Sequence, residues 1–382
     1  MADLRASRVF ASLSLPVMAA ILCSAGVAAA QNDDNVRINQ IQVIGTHNSY
    51  HAGFAPSAAK LWQQKSPKMY EGLNYSHPTL TAQLDGGVRQ LEIDIFADTK
   101  GGLFAHPYGE KAIAEAGLPA DPPYNADHVM DKPGFKVLHV QDVDYRSRCE
   151  PFTACLAEVR KWSKAHPHHL PVFLLIENKY GKLKNVPFDT VTPEDWTPAI
   201  FDDLDREIRS VFPESEIVTP DDVRGKYATL NEAIRAGNWP TLKQARGKVI
   251  FLMDQRRFED MYTEGHASLQ GRVLFTNAVP GQPDAAFTEE NDGTPEEIDA
   301  LVKQGYLVRT RSDEPGREAP KNDTTRRDVV LQTGAQIIST DYPAAEKHAS
   351  GYDVELPGNA VARCNPVLKP ADCTDNGLAA KK

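Results

Sequence analysis

Eight short apolar runs, each ending in a polar side chain and separated from the next by longer segments, constrain the fold of this chain more than any other feature. They lie at Gln42–Gly45, Val88–Ile95, Phe135–Val140, Val172–Glu177, Lys248–Asp254, Arg272–Asn277, Tyr306–Arg311 and Gln336–Asp341. The segments between them include PFTACLAEVRKWSKAH, AIFDDLDREIRSVF, TPEEIDALVKQG and NDTTRRDVVLQTG, which read as helices. Strand–helix alternation dictates a parallel sheet, because a parallel neighbour is reached only through a crossover, and a helix is the crossover that covers the sheet face. Eight such units predict an α/β fold: a single (β/α)8 TIM barrel, irregular or partly open.

The ends of the runs point to the site. In order they carry His47 and Asn48, Glu92 and Asp94, His139, Glu177, Asp254, Asn277, Arg309 and Arg311, and Asp341. In barrels of this kind the chemistry sits at the C-terminal ends of the strands. Side chains alternate across a strand, so in QLEIDIF the carboxylates of Glu92 and Asp94 face inward while Leu91, Ile93 and Ile95 face the helices. Arg309 and Arg311 in LVRTRSD, and Glu177 and Lys179 in LLIENKY, follow the same rule. An unpaired ion in that interior is costly, so cations belong among the acids.

Composition narrows the function class. The 382 residues are 41% hydrophobic and 25% charged, enough for a full core, and the formal charge is −10. No basic tract is present, which argues against nucleic acid as a partner, and an acidic surface gives no long-range pull toward anionic membranes. No obligate protein partner is evident. Residues 1–30 read as a secretory signal: Arg5 and Arg8, an apolar stretch from Leu13 to Val27, then Ala28-Ala29-Ala30 at the cleavage site. The mature chain is therefore expected to be secreted or periplasmic. It would comprise a catalytic domain over 31–345 and a tail over 346–382. Cys149, Cys155, Cys364 and Cys373 remain, and their close spacings predict the disulfides Cys149–Cys155 and Cys364–Cys373.

Asn48, Glu92, Asp94 and Glu177 form an all-oxygen ligand set, which selects calcium or magnesium over zinc or copper. The competing reading makes Glu92 and Asp94 ion-pair partners of Arg309 or Arg311, and Asn48 a turn residue.

GTHNSYH, LEID, VLH before a cysteine-flanked helix, and FLLIENK resemble the catalytic half of calcium-dependent phosphoinositide-specific phospholipases C, above all the secreted bacterial single-domain form. RGKYATLNEAI, GNWPTLKQARGKVIFLMD, LVRTRSD and GAQIISTDYP extend the likeness over most of residues 38–345. The resemblance implies a barrel, one Ca2+, and cleavage of the glycerol–phosphate bond of phosphatidylinositol to diacylglycerol and a cyclic or open inositol phosphate. It makes His47 and His139 the catalytic histidines and Asn48, Glu92, Asp94 and Glu177 the calcium ligands. Contact with membrane would be transient. The chemistry needs the same types: a proton leaves the inositol 2-hydroxyl, another reaches the departing oxygen, and phosphoryl charge is offset. The two histidines can exchange the proton duties, or His47 stabilises the phosphorane while a calcium-bound carboxylate such as Glu92 acts as base; His139 is placed on the leaving-group side.

Lys179, Arg309 and Arg311 are candidates to hold the phosphate, and Tyr342 to stack on the inositol ring or to pack. His106, in a Gly-Gly loop, competes with His139. His51, His77, His128, His166, His168 and His169 read as surface or capping residues. Eukaryotic relatives carry lysines for ring phosphates on the strand matching GKVIFLMD, where this chain has Leu252 and Asp254, so unphosphorylated phosphatidylinositol is the expected substrate. The insertion from Ala52 to Asn74 is read as a lid, a membrane-touching loop or a packed helical segment. The alternatives are a glycerophosphodiester phosphodiesterase, which usually opens with His-Arg and not His-Asn, and a non-catalytic calcium-dependent binder of lipid head groups.

Overall fold

The computed structural model describes residues 33–378, so the expected signal segment lies outside the described residues. Eight parallel strands form the barrel: β1 (Ile41–Thr46), β2 (Gln90–Phe96), β3 (Val172–Asn178), β4 (Val249–Met253), β5 (Leu274–Phe275), β6 (Phe287–Glu289), β7 (Leu307–Arg311) and β8 (Ile337–Thr340). The order around the sheet is β5-β4-β3-β2-β1-β8-β7-β6. Between β5 and β6 no ladder forms. One bridge, Asn277 to Phe287, spans that seam, and the barrel is nearly closed.

The count of eight holds, but one member differs from the sequence reading. The run Phe135–Val140 is not a barrel strand: only Lys136–Val137 is extended, and it runs antiparallel to the end of β2, Ile95 facing Val137 and Phe96 facing Lys136. Its place is taken by β6, three residues of AAFTEEND. A three-residue strand hemmed by acids gives almost no periodic signal.

Apolar spacing accounts for the helices. In the helix Phe152–Ala165 the buried residues Phe152, Cys155, Leu156, Val159 and Trp162 recur at three and four, one stripe facing the sheet. They join Leu91, Ile93 and Ile95 of β2 in the main core. Each such fully buried side chain stabilises by roughly 1.5–3 kcal/mol.

The β1–β2 pair is a thin junction within the ladder: only Gly45–Gln90 and Thr46–Leu91 are in register, as few as between β4 and β5. At the lower end Ala362–Cys364 inserts antiparallel against Ile41–Val43, and at the upper end Lys136–Val137 occupies the edge of β2. Gly45 permits the close approach between the two strands, since a Cβ there would lie 1.9 Å from Gln90 Oε1.

The tail is thus part of the barrel wall, and the disulfides Cys149–Cys155 and Cys364–Cys373 form as expected. Residues 52–74 form two helices, Pro56–Lys65 and Pro67–Leu73. Leu61 and Trp62 are buried against Ala112, Ile113 and Val143, so the packed reading of the insertion is the one observed. Among the described residues no helix is long and apolar enough to cross a membrane.

Candidate active site in the barrel mouth

β1 ends at Thr46, and the chain turns at once through Asn48, whose φ of 47° lies in the left-handed region that asparagine tolerates better than most residues. The turn leaves His47 on the interior face with Gly45. It returns Ser49 to β2, where its amide donates to the Glu92 carbonyl at 2.9 Å and its hydroxyl accepts from the Glu92 amide at 2.8 Å. That places an imidazole and a carboxamide beside the first inward carboxylate of β2.

Glu92, Asp94 and Glu177 converge, with carboxylate oxygens within 4.8 Å of one another. Register explains this: Asp94 sits opposite Glu177 across the β2–β3 ladder, and Glu92 lies one inward position below. Cations are interleaved, as the cost of buried charge demands. Arg309 Nη2 donates to Glu92 Oε2 at 2.6 Å, and Nη1 to Asn291 Oδ1 at 2.7 Å. Lys179 Nζ lies 3.1 Å from Asp94 Oδ2 and 3.3 Å from Glu177 Oε1. The ion-pair reading of Glu92 is therefore realised, while Asp94 is paired with Lys179 and not with an arginine.

Burial pushes the Glu92 carboxyl up to about 7 against the pull of Arg309, and lifts Asp94 well above its ordinary value with Glu177 adding repulsion. Burial works the same way on Glu177, yet Lys179 leaves it below the usual range.

Two residues test the fit of a hard cation. Asn48 Nδ2 donates to Tyr75 Oη at 2.6 Å and lies 3.2 Å from His139 Nε2, whereas the buried Oδ1 has no partner. Both Asp94 oxygens likewise lack a well-formed hydrogen bond. An orphaned amide oxygen beside three clustered carboxylates is a donor set for Ca2+, so the residues present fit the ion.

Each candidate histidine is held from behind by a carboxylate. His47 Nδ1 donates to Asp341 Oδ1 at 2.8 Å, and its Nε2 lies 3.6 Å from Glu92 Oε1. His139 Nδ1 donates to Asp144 Oδ2 at 2.9 Å. Burial, reinforced by Arg311 and Arg309, lowers His47 well below the ordinary imidazole value; burial also lowers His139, with Asp144 opposing. His139 does not end a barrel strand. It reaches the mouth because Lys136–Val137 pairs with β2 and carries the following loop over Asn48. His106 lies outside this cluster, exposed beside Tyr108 and Glu110.

Three histidines read as surface or capping residues are buried. His51 donates from Nε2 to the same Asp144 oxygen at 2.7 Å. His77 joins the His47 carbonyl at 3.0 Å to Glu346 of the tail at 2.6 Å. His169 bonds Ser163 at 2.7 Å, far from the mouth. The carboxylate partners of His51 and His77 lie 93 and 269 residues away in sequence, so only the fold reveals them. Asp144 and Glu289 are further residues that the sequence reading missed, and Asp341, a noted strand end, gains a role as the partner of His47.

The remaining candidates divide. Arg311 is buried with Nε and Nη2 unpartnered; its nearest carboxylate contact is Glu314 at 3.9 Å. Asp254 belongs to the cluster, raised to about 6 by burial and by Glu177, and Glu289 contacts it with its own carboxyl held well above the usual range by burial and by Asp254. Arg309 Nη1 lies 3.6 Å from Glu289. Tyr342 is outside the cluster: its ring packs on His348 and Tyr352, 5.0 and 6.1 Å between centroids.

Compared with known proteins, residues 36–366 match the family described as "Phosphoinositide phospholipase C, Ca2+-dependent". The chain belongs to that family. No curated protein matches it. Among solved structures, a calcium-dependent phosphoinositol-specific phospholipase C from a Gram-negative Pseudomonas species is similar at 18% identity, over 84% of this chain and 95% of that one, with a TM-score of 0.51. The same enzyme in complex with myoinositol matches at 18% identity, 83% and 94% coverage, and a TM-score of 0.50. A Ca2+-dependent phosphatidylinositol-specific phospholipase C from Streptomyces antibioticus matches at 19% identity, 80% and 94% coverage, and a TM-score of 0.50. At these identities the likeness is one of fold, and it is the family match over most of the chain that places this barrel among the phospholipases C.

Proposed function

We propose that this chain cleaves phosphatidylinositol by intramolecular attack of the inositol 2-hydroxyl on phosphorus, releasing diacylglycerol and inositol 1,2-cyclic phosphate. One observation carries the reading: two imidazoles, each anchored by its own carboxylate, flank a single all-oxygen pocket at the C-terminal end of the barrel. In the reaction a bond forms from the 2-oxygen to phosphorus as the bond from phosphorus to the glycerol oxygen breaks. His47 Nε2, the nitrogen not engaged by Asp341, faces the carboxylate cluster and takes the 2-hydroxyl proton. His139, whose protonated ring Asp144 stabilises, supplies a proton to the departing glycerol oxygen.

Arg311 suits the phosphoryl group because its guanidinium is desolvated and only weakly paired. Asn48, Glu92, Asp94 and Glu177 would hold Ca2+. When bound, that ion lowers the hydroxyl pKa and offsets phosphoryl charge. Asp254 and Glu289 would meet the far side of the inositol ring, where acids accept hydrogen bonds from free hydroxyls and repel ring phosphates. Plain phosphatidylinositol is therefore the preferred substrate. Two disulfides suit an oxidising compartment, consistent with secretion or periplasmic residence.

The test is release of diacylglycerol from phosphatidylinositol vesicles with Ca2+ and with a chelator. Turnover is expected only with Ca2+, and His47→Ala and His139→Ala should each lower kcat by about 10²–10⁴. Full turnover in either variant would sink the assignment, and faster cleavage of glycerophosphoinositol than of the lipid would favour the glycerophosphodiesterase reading.

A further inference from the structure

Only three large apolar side chains are exposed among the described residues: Tyr180, Val279 and Val329. Two of them flank one loop of the barrel rim. Tyr180, 43% exposed, follows β3, and Val279, 46% exposed, follows β5, so both leave the C-terminal ends of strands that flank β4. The loop after β4 joins them. The Arg257 guanidinium lies 4.1 Å over the Tyr180 ring, Phe258 meets that ring edge-on at 5.5 Å, and Glu259 accepts from the Val279 amide at 3.3 Å. Lys182 and Lys184 are exposed two and four residues beyond Tyr180. The patch is continuous with the site, since Tyr180 directly follows Lys179, which touches Asp94 and Glu177.

We propose that this corner of the barrel rim, with Tyr180 at its centre and Lys182, Lys184 and Arg257 around it, docks on an anionic lipid bilayer. The inference deepens the reading above, because a lipid head group enters the mouth only if the C-terminal face meets the membrane. Charge makes the choice of corner. The chain carries −10 overall, so an anionic bilayer repels most of its surface, and approach requires local cations. Lys182 is paired with Asp189 at 2.6 Å, but that pair is exposed and is exchanged for lipid phosphate at little cost. Tyr180 suits the interface in another way: an apolar ring ending in a hydroxyl is at home where head groups meet acyl chains. Arg257 over its face keeps the ring oriented and adds a phosphate-seeking group.

The measurement is sedimentation with phosphatidylcholine vesicles, with and without phosphatidylinositol, in chelator so that no lipid is consumed. Wild type is expected to bind the phosphatidylinositol vesicles more tightly. Lys182→Glu with Lys184→Glu should weaken that binding by about tenfold or more, and Tyr180→Ala severalfold. In Ca2+, the same variants should lose vesicle hydrolysis yet keep wild-type turnover of a water-soluble short-chain phosphatidylinositol dispersed as monomers. Unchanged vesicle binding in both variants overturns the proposal, as does equal loss on the soluble ester. The two readings fail separately: a wild type that binds vesicles but turns over neither substrate defeats the catalytic assignment alone. Variants that bind and hydrolyse vesicles like wild type defeat the docking surface alone.

Discussion

Asp144 shows how much one buried oxygen can organise. Its Oδ2 accepts from both His139 and His51, at 2.9 and 2.7 Å, while burial would otherwise raise its carboxyl; the two imidazoles hold it below the ordinary value instead. His51 is thus a positioning residue, with no contact to the oxygen pocket except through its neighbours. A hydrogen bond to a charged group is worth about 1.5–3 kcal/mol, so His51→Ala should lower kcat by roughly 10–100-fold. KM and Ca2+ affinity should stay near wild type, and His51→Gln, which can restore a donor, should recover part of the rate. Steady-state kinetics with a Ca2+ titration check this; an equal loss of Ca2+ affinity would show that His51 merely supports the fold. The residue types were legible: GTHNSYH and LEID announced an imidazole and oxygen ligands. Their pairing was not, because Asp144 lies 93 residues from His51 and Asp341 lies 294 from His47.

Among the elements, the long strands were readable, and the short ones only where an apolar run surrounds them, as Arg272–Asn277 does β5. β2, β3 and β4 carry five to seven residues with strong apolar alternation or runs, and their ends matched expectation within a residue or two. Lys136–Val137 and Phe287–Glu289 are too short to carry a period, and which of them joins the barrel depends on the space left between neighbours. The tail strand Ala362–Cys364 is another case. It covers the lower half of β1, with Arg363 Nε donating to Gln42 Oε1 at 2.8 Å and Asn365 Nδ2 to the Gly334 carbonyl at 2.7 Å. Truncation before Ala360 removes these bonds, the ladder and the burial of Ala362. At about 1 kcal/mol per hydrogen bond, it should cost some 3–5 kcal/mol in urea unfolding. A truncated protein with unchanged midpoint and slope would show that the tail is not part of the wall.

For the whole molecule, pH stability is governed in part by a histidine remote from the site. Burial drives His169 down to about 4, although its bond to the Leu170 carbonyl opposes the shift. Between that value and the ordinary 6.5 the unfolded chain binds a proton that the folded chain refuses. Stability is therefore retained above about 6.5 and falls as pH drops toward 4, by up to about 1.4 kcal/mol per pH unit from this group. Urea midpoints measured across that range should flatten in His169→Asn; an identical slope in the variant would assign the loss to other groups.

What the chain fixed by itself was the alternation of strand and helix, the inward set of acids and bases, and the kind of ion they suit, because those follow from side-chain period and donor chemistry along one segment at a time. Closure decided the rest. Which short strand completed the wall, that Asp341 stood behind His47, and that Arg309 answered Glu92 all depend on residues brought together across hundreds of positions. Burial then made each of those pairings matter, since a charge or lone pair sealed inside the barrel must find its partner there or pay the full cost of leaving water.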